Sequence, residues 1–318
     1  MNSQSITMDR VDQYIAHCRT LGYKLQGRRA MLRRFVAFLS RRAPDSPITT
    51  ALALEWATES KLDTPINQAR KLTAVRAFAR YCAVDDPRTE IPPENLLGKT
   101  RRRPSPYIYS SEEIHSLLNA AWHLRPPDAL RPQTYAVLLG LLACTGIRIG
   151  ETIRLRLDDV RWNDPALVIR DSKRLRERLV PLHDSTVNTL QAYVQRRSIY
   201  VQDASCDRFF INDNGGPLCH GQILRVFRRL RSTVGIGGTG RGQPRIHDLR
   251  HTFACRRVLQ WQQDGIPLDK AIASLSTYLG HVAPTDTYWY LTGMRELLQA
   301  CGERFERYAE SQMKGGQA

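Results

Sequence analysis

The sequence predicts a mainly α-helical protein of two domains, the second of which also contains a small antiparallel β-sheet. At about 150 residues per domain, a chain of 318 residues is long enough for about two domains. Apolar residues recur at helical spacing over most of the chain, whereas strand-like segments occur only between residues 160 and 182. The composition, 42% hydrophobic and 25% charged, is that of a folded soluble chain.

Residues 1–97 are expected to form the first, all-helical domain. Helical periodicity starts at Val11 and returns at Leu32, and a third helix is predicted over residues 51–60. A fourth helix begins at Pro65, because proline is favoured in the first turn of a helix. No alternating strand pattern interrupts these segments.

A basic linker is predicted between the domains, over residues 98–108. Residues 98–106 contain a glycine, two prolines, four basic side chains and no acidic one. This composition is typical of a connection between domains, and its charge would allow it to lie along phosphates.

The second domain is expected to cover residues 109–318. It opens with a capping box at Ser110–Glu113, and a buried helix follows over residues 132–145. Short strands are predicted at residues 160–162, 167–170 and 179–182. Further helices are predicted over residues 184–200, 219–233, 247–264, 267–279 and 294–312. The apolar stripe of the last helix could pack in its own core or dock on a neighbouring protomer.

The charge of the chain indicates a polyanionic partner. Lys and Arg number 47 against 31 Asp and Glu, a net charge of +16, and nucleic acid is the first candidate. The longest apolar run, residues 136–144, is too short for a membrane span, and residues 1–10 lack the apolar stretch of a secretion signal. We therefore expect a cytoplasmic protein with no membrane partner. No two of the seven cysteines have the C-x-x-C spacing of a zinc ribbon or redox pair.

Three separated segments combine unusual polar groups with helices that look buried. Thr145–Glu151 reads Thr-Gly-Ile-Arg-Ile-Gly-Glu, with a glycine suited to end the preceding helix. His247–His251 reads His-Asp-Leu-Arg-His, and its two histidines and arginine share one helical face, which is unfavourable unless an anion lies among them. Leu279–Tyr290 contains Leu-Gly-His and two tyrosines.

Each segment taken alone also has an ordinary structural interpretation. Arg148 and Glu151 could form a local ion pair, since they lie three residues apart in the sequence. His247 could begin a solvated helix, and the tyrosines could pack in a core. Only the combination of the three segments is specific.

The combination resembles the tyrosine recombinase (phage integrase) family. The shared pattern is Thr-Gly-x-Arg-x-x-Glu, then His-x-Leu-Arg-His about a hundred residues later, then Leu-Gly-His with a tyrosine nine residues on. It covers about residues 109–300, and the helical domain with its linker resembles the core-binding domain of the family. The ending Thr-Tyr-Trp-Tyr-Leu-Thr also looks like that of integrases in recombinase-in-trio mobile elements. The resemblance implies the DNA breaking-rejoining enzyme fold.

In this family a tyrosine attacks a DNA phosphodiester, giving a 3′-phosphotyrosyl link and a free 5′-hydroxyl. Two arginines clamp the non-bridging oxygens, and Arg148 and Arg250 match their positions. His247 and His281 match the supporting hydrogen-bond donors and proton-transfer groups. Glu151 matches an acidic position that orients the cations rather than binding a metal.

The general acid and the nucleophile follow from the same resemblance. Alignment on Arg-Leu-Val-Pro-Leu places Lys173 at the position of the general acid, although the usual Gly-Lys-Gly has become Ser-Lys-Arg. The spacing of nine residues after His281 selects Tyr290 as the nucleophile, with Tyr288 as the alternative. His251 is expected to be an accessory residue of this site. One departure is a stretch before His281 that exceeds the family's usual length by about four residues.

The resemblance implies that DNA is the partner and that no cofactor is needed. The chain has no phosphate-binding Gly-x-x-x-x-Gly-Lys-Ser/Thr loop, and neither a metal nor ATP is expected. The candidate DNA contacts are Arg28, Arg29, Arg33, Arg34, Lys71, Arg76, Lys99, Arg101, Arg102 and Arg103.

The predicted function is site-specific recombination of a mobile element, strand by strand through a Holliday junction. The DNA partners would be double-stranded recombination sites. The protein partners would be further copies of the chain, as a dimer on each site and a tetramer in the synapse, or sister recombinases in a mixed assembly. The alternatives are a DNA-binding accessory partner without its own strand exchange and a topoisomerase-like relaxing enzyme. No arm-binding domain is expected, since the chain starts almost directly at the first helix.

Overall fold

The computed structural model describes most of the chain and divides it into two compact units, Met1–Arg103 and Pro104–Ala318. The described residues are 6–23, 25, 27–98, 106–171, 176–201, 206–237, 243–281 and 287–288. The basic residues of the predicted linker, Lys99, Arg101, Arg102 and Arg103, and the predicted helix over residues 294–312 lie outside them.

Four helices form the first unit: α1 (Met8–Thr20), α2 (Arg28–Arg42), α3 (Thr50–Thr58) and α4 (Pro65–Cys82). Threonine side chains cap α1, α3 and α4 by accepting a hydrogen bond from a backbone N–H of the first turn. The apolar faces meet around Phe35, Trp56 and Phe78, which are almost completely buried. This unit therefore has a core of its own.

The second unit begins with α5 (Ser111–Trp122), α6 (Arg131–Thr145) and α7 (Ile149–Arg154). The predicted capping box is present at the start of α5, where Ser110 and Glu113 satisfy each other's backbone N–H groups. Helix α6 is buried on nearly all sides, which explains its almost uniformly apolar sequence. Helix α7 was not predicted, because its six residues are too few to show helical periodicity.

A three-stranded antiparallel sheet follows, in the order β1 (Val160–Arg161), β2 (Ala166–Asp171) and β3 (Arg176–Pro181). Strands β2 and β3 pair from Ala166↔Pro181 to Asp171↔Arg176. Strand β3 starts three residues earlier than predicted, because its charged residues continue the ladder beyond the apolar part.

Four more helices complete the described part of the second unit: α8 (Asp184–Ser198), α9 (His220–Thr233), α10 (Asp248–Gln263) and α11 (Leu268–Leu279). Their bounds lie within two residues of the predicted ones. Helices α6 and α10 pack together, and α11 packs on α10 and β3. The mainly helical architecture with one small antiparallel sheet confirms the predicted fold class.

No described helix combines the length and apolar character that crossing a membrane requires. The described residues also contain no group of three or more His, Cys, Asp or Glu side chains arranged to hold a metal ion.

Candidate active site

The site is built where two helices end in glycine. Gly146 ends α6 with φ +62°, and Gly280 ends α11 with φ +66°, a left-handed backbone that glycine adopts without steric cost. A Cβ on Gly146 would also collide with the Phe253 ring. The last carbonyls of a helix have no partner within the helix, so both ends offer acceptors to side chains from elsewhere.

Three consecutive carbonyls at the end of α11 bind three arginines from three different elements. Tyr278 O accepts from Arg178 Nε of β3 at 2.9 Å, and Leu279 O accepts from Arg250 Nη2 of α10 at 2.7 Å. Gly280 O accepts from Nη2 of Arg148, the residue before α7, at 3.1 Å. The negative end of the α11 dipole favours positive charge at this position. One helix end therefore gathers three guanidinium groups.

Arg250 is the most buried of the three, with 2% of its surface exposed. Its Nη1 donates to Gly146 O at 2.8 Å, and its Nη2 lies 3.0 Å from His281 Nε2. The side chain thus joins the ends of α6 and α11. The segment as a whole is not a solvated helix start, because Arg250 and His251 are both buried, although His247 itself is exposed.

Glu151 lies buried between two of the arginines. Its carboxylate accepts from the backbone N–H and Nη1 of Arg148, both at 2.9 Å, and from Nη1 and Nη2 of Arg178 at 3.2 and 2.7 Å. Burial alone would raise the pKa of Glu151, but the hydrogen bonds and charges of Arg178, with those of Arg148, outweigh it and lower the pKa to about 2. The group is therefore a carboxylate at neutral pH.

His281 continues the network away from Arg250. Its Nδ1 lies 2.8 Å from the hydroxyl of Thr287, which is fully buried. If Nε2 accepts the Arg250 hydrogen bond, Nδ1 carries the proton and donates to Thr287. That tautomer satisfies both contacts.

His247 and His251 meet edge to face at the start of α10, with ring centroids 5.0 Å apart. Burial, and then the charge of Arg250, lower the pKa of His247, although the residue retains contact with solvent. Burial, followed by the charge of His247, lowers the pKa of His251 to about 3. Both rings are therefore neutral at pH 7.

The structure brings Arg148, Glu151, His247, Arg250, His251 and His281 together from distant parts of the sequence. Lys173, which lies between β2 and β3 in the sequence, and Tyr290, which follows His281, fall outside the described residues. Tyr288 is half-exposed, so the interpretation of this residue as part of a core is not supported. The local ion pair of Arg148 and Glu151 does exist, but it forms part of the larger network.

Arg178, which completes the network, was not among the predicted site residues. The alternation of β3 could have found it, because Arg178 shares the inward face with the buried Val180, while Glu177 and Leu179 are exposed. An inward-facing arginine on a strand needs buried acceptors, and these come from Glu151 and the end of α11.

The basic residues predicted to contact DNA in the first unit have different surroundings. Arg34 is exposed and Arg28 is partly buried. Arg29 and Arg33 both pair with Asp12, at 2.7 and 3.0 Å.

Lys71, on α4, forms its contacts within the first unit. The Lys71 ammonium pairs with Asp63 at 2.6 Å and lies 5.1 Å from the centre of the Trp56 ring.

Arg76 does not fit its predicted role. Only 8% of it is exposed, and its guanidinium donates to the carbonyls of Pro92 and Pro93 at 2.7 and 2.6 Å. These bonds fasten the segment after α4 to the helix, so we correct the interpretation of Arg76 from a DNA contact to a structural residue.

The family can now be assigned. Residues 109–295, more than half of the chain and including every element of the site, match the family model described as "Phage integrase family". The chain belongs to this family. The predicted resemblance is therefore confirmed, and membership supports site-specific recombinase activity for the chain.

Curated relatives match over 72–93% of this chain. A "Putative integrase/recombinase y4rB" of Sinorhizobium fredii is 42% identical over 93% of this chain and 96% of its own length. A second protein of that organism, "Putative integrase/recombinase y4rE", is 33% identical over 93% of this chain and 94% of its length. "Tyrosine recombinase XerD" of Caulobacter vibrioides is 28% identical over 72% of both chains.

Solved structures share the fold. The integrase of transposon Tn1549 in complex with a circular intermediate DNA superposes with a TM-score of 0.67 and 16% identity, over 95% of this chain and 100% of that chain. XerH site-specific recombinase bound to a palindromic difH substrate gives a TM-score of 0.64 and 18% identity, over 94% of this chain and 85% of that chain. At these identities the likeness concerns the fold alone.

Proposed function

We propose that the protein is a site-specific recombinase of a mobile element that cuts and rejoins DNA through a covalent bond to Tyr290. The observation that carries this proposal is the convergence of Arg148 and Arg250 at the end of α11, beside His247 and His281. Two planar cations held beside each other suit the two non-bridging oxygens of a phosphodiester. The tyrosine nine residues after His281 supplies a nucleophile close in sequence.

The chemistry assigns one task to each group. The phenol oxygen of Tyr290 bonds to phosphorus while the bond from phosphorus to the 5′ oxygen breaks. His247, which is neutral at pH 7 because its pKa is lowered, can accept the phenolic proton. Lys173 would give a proton to the departing 5′ oxygen, and attack by the 5′ hydroxyl of a second strand reverses the step. Arg148 and Arg250 would stabilise the negative charge that develops on the phosphorane.

Neither a metal nor ATP is required in this proposal. The guanidinium groups provide positive charge at the phosphate, and the phosphotyrosyl bond conserves the energy of the phosphodiester. We therefore expect strand cleavage and rejoining to be insensitive to a chelator.

The two units would share the work on duplex DNA. The family match covers most of the second unit, which we propose as the catalytic domain over residues 109–318. Residues 1–97 would be the DNA-binding core domain and residues 98–108 the basic linker, with Arg34 and Arg28 as phosphate contacts. The mobile-element context rests on the sequence around Tyr290. Two different relatives from one organism also favour an assembly with sister recombinases.

The experiment is covalent trapping on a duplex that the protein itself selects. Bound sequences are enriched from a pool of random duplexes, and the selected site is prepared with a nick near the cleavage position so that the released fragment diffuses away. The wild-type protein should give an adduct that survives SDS, both with and without EDTA, and Tyr290→Phe should give none.

Other outcomes select other interpretations. A wild-type protein that binds the duplex without forming an adduct would be an accessory DNA-binding partner. An adduct without exchange between two duplexes would indicate a relaxing enzyme. An adduct that persists in Tyr290→Phe and disappears in Tyr288→Phe would show that the other tyrosine is the nucleophile.

A further inference from the structure

Arg178 occupies an unusual place for an arginine. It is the third residue of β3, and its side chain is only 15% exposed. Long cationic side chains on small sheets normally reach solvent, so this one must gain from its buried partners.

Those partners belong to two elements that also hold Arg148. The Arg178 guanidinium forms a two-pronged pair with Glu151 of α7, at 3.2 and 2.7 Å, and its Nε donates to Tyr278 O at the end of α11. Arg148 uses the same carboxylate and the next-but-one carbonyl, Gly280 O. Arg178 and Arg148 therefore both donate to the Glu151 carboxylate and to carbonyls at the end of α11.

Gly280 gives the Arg178 side chain its space. A Cβ at Gly280 would lie 3.0 Å from Arg178 Nη1 and 3.3 Å from its Cζ, closer than ordinary packing allows. The guanidinium thus lies against the bare backbone of the residue whose carbonyl holds Arg148.

We propose that Arg178 is a positioning residue for strand transfer: it fixes the Glu151 carboxylate and the end of α11, which together orient the Arg148 guanidinium. This inference rests on the proposed function, since that function assigns Arg148 to the reaction. Arg178 itself does not touch the DNA phosphate in this proposal. Its effect on the reaction is exerted through Glu151.

The test compares two buried arginines of the same unit. Arg197 of α8 is 4% exposed and donates to the carbonyls of Cys206, Arg208 and Phe209, none of which belongs to the site. Arg178→Met and Arg197→Met each remove a buried cation from its acceptors. Only Arg178→Met should slow the reaction, so Arg197→Met is the matched control for a purely structural loss.

Two quantities are measured on the nicked duplex selected with wild-type protein: the equilibrium Kd and the single-turnover rate of adduct formation, corrected for the folded fraction. Arg178→Met should slow adduct formation by about 10²-fold, as expected for a misplaced reacting group, while Kd changes little. Arg178→Lys restores the charge but not the two-pronged geometry, and it should recover about one order of magnitude. Arg197→Met should leave the rate near that of wild type.

A double-substitution cycle tests the route through the carboxylate. In the Glu151→Gln background, Arg178→Met should slow adduct formation by a much smaller factor than in wild type, since both changes break the same Arg178–Glu151 pair. If Arg178→Met does not fold, Arg178→Lys enters the same cycle in its place. Independent, multiplicative effects would overturn the proposed route.

The failures can be told apart. No adduct with wild-type protein overturns the proposed function itself. A normal wild-type adduct, with Arg178→Met or Arg178→Lys no slower than Arg197→Met, overturns only the positioning role of Arg178.

Discussion

Replacing Glu151 by glutamine should destabilise the second unit in a way that depends on pH. The substitution keeps the size of the side chain and removes the charge that lies between Arg148 and Arg178. Native contacts lower the pKa of Glu151 from its ordinary 4.5 to about 2, which corresponds to about 3 kcal/mol at neutral pH, taking about 1.4 kcal/mol for each tenfold change in acidity.

The sign of the pH dependence follows from the direction of this shift. Because the folded state holds the lower pKa, the stabilisation is fully present above pH 4.5 and is lost as the pH falls through about 2. Glutamine behaves as the protonated acid throughout. The difference in unfolding free energy between wild type and Glu151→Gln should therefore be about 3 kcal/mol at pH 7 and about half of that at pH 3.

Hydrogen exchange at increasing urea, read on peptides from α7 and α10, reports the unfolding of this unit separately from the first. Glu177→Gln is the control: Glu177 lies on β3, is 63% exposed and pairs only at the surface, so the change should cost less than about 1 kcal/mol. A cost for Glu151→Gln below about 1 kcal/mol at pH 7, or one that stays constant down to pH 3, would refute the buried-carboxylate account.

Three further predictions concern other parts of the molecule. Arg250→Lys should lower the single-turnover adduct rate by about 10²-fold or more with little change in DNA affinity, and an equal loss of affinity would contradict a role in the reaction step. Gly280→Ala should lower the unfolding free energy more than Gly265→Ala does. Both glycines have positive φ, but of the two only Gly280 has a guanidinium next to the position of the added Cβ. Equal losses of unfolding free energy in urea titrations would argue against that contact. Arg76→Met should lower the unfolding free energy of the first unit by about 1–3 kcal/mol and leave the salt dependence of DNA binding unchanged. Arg34→Met should instead reduce the slope of log Kd against log salt concentration by about 1. The opposite pattern would restore Arg76 as a DNA contact.

Local patterns predicted most of the elements. Helix periodicity and the glycine at position 146 located α3, α4, α6 and α8 to α11 to within two residues, and the capping box at Ser110 located the start of α5, because these signals act over a few neighbouring residues. Helix α7 and the early start of β3 were missed, because a six-residue helix and a charged strand end carry little periodic signal. Arg76 was misassigned because charge alone does not distinguish a solvated arginine from one whose guanidinium is bonded to backbone carbonyls.

The sequence by itself determined the residue types of the candidate site, their order and the family, because these depend on motifs that can be read one segment at a time. Only the tertiary structure decided how the segments meet, since the acceptors at the end of α11 have no sequence signature linking them to β3, α10 and Arg148. It also decided that Glu151 is shared by two arginines and that Arg178 belongs to the network. The physical reason is that unsatisfied helix carbonyls and a buried carboxylate take their partners from whatever lies nearest in space.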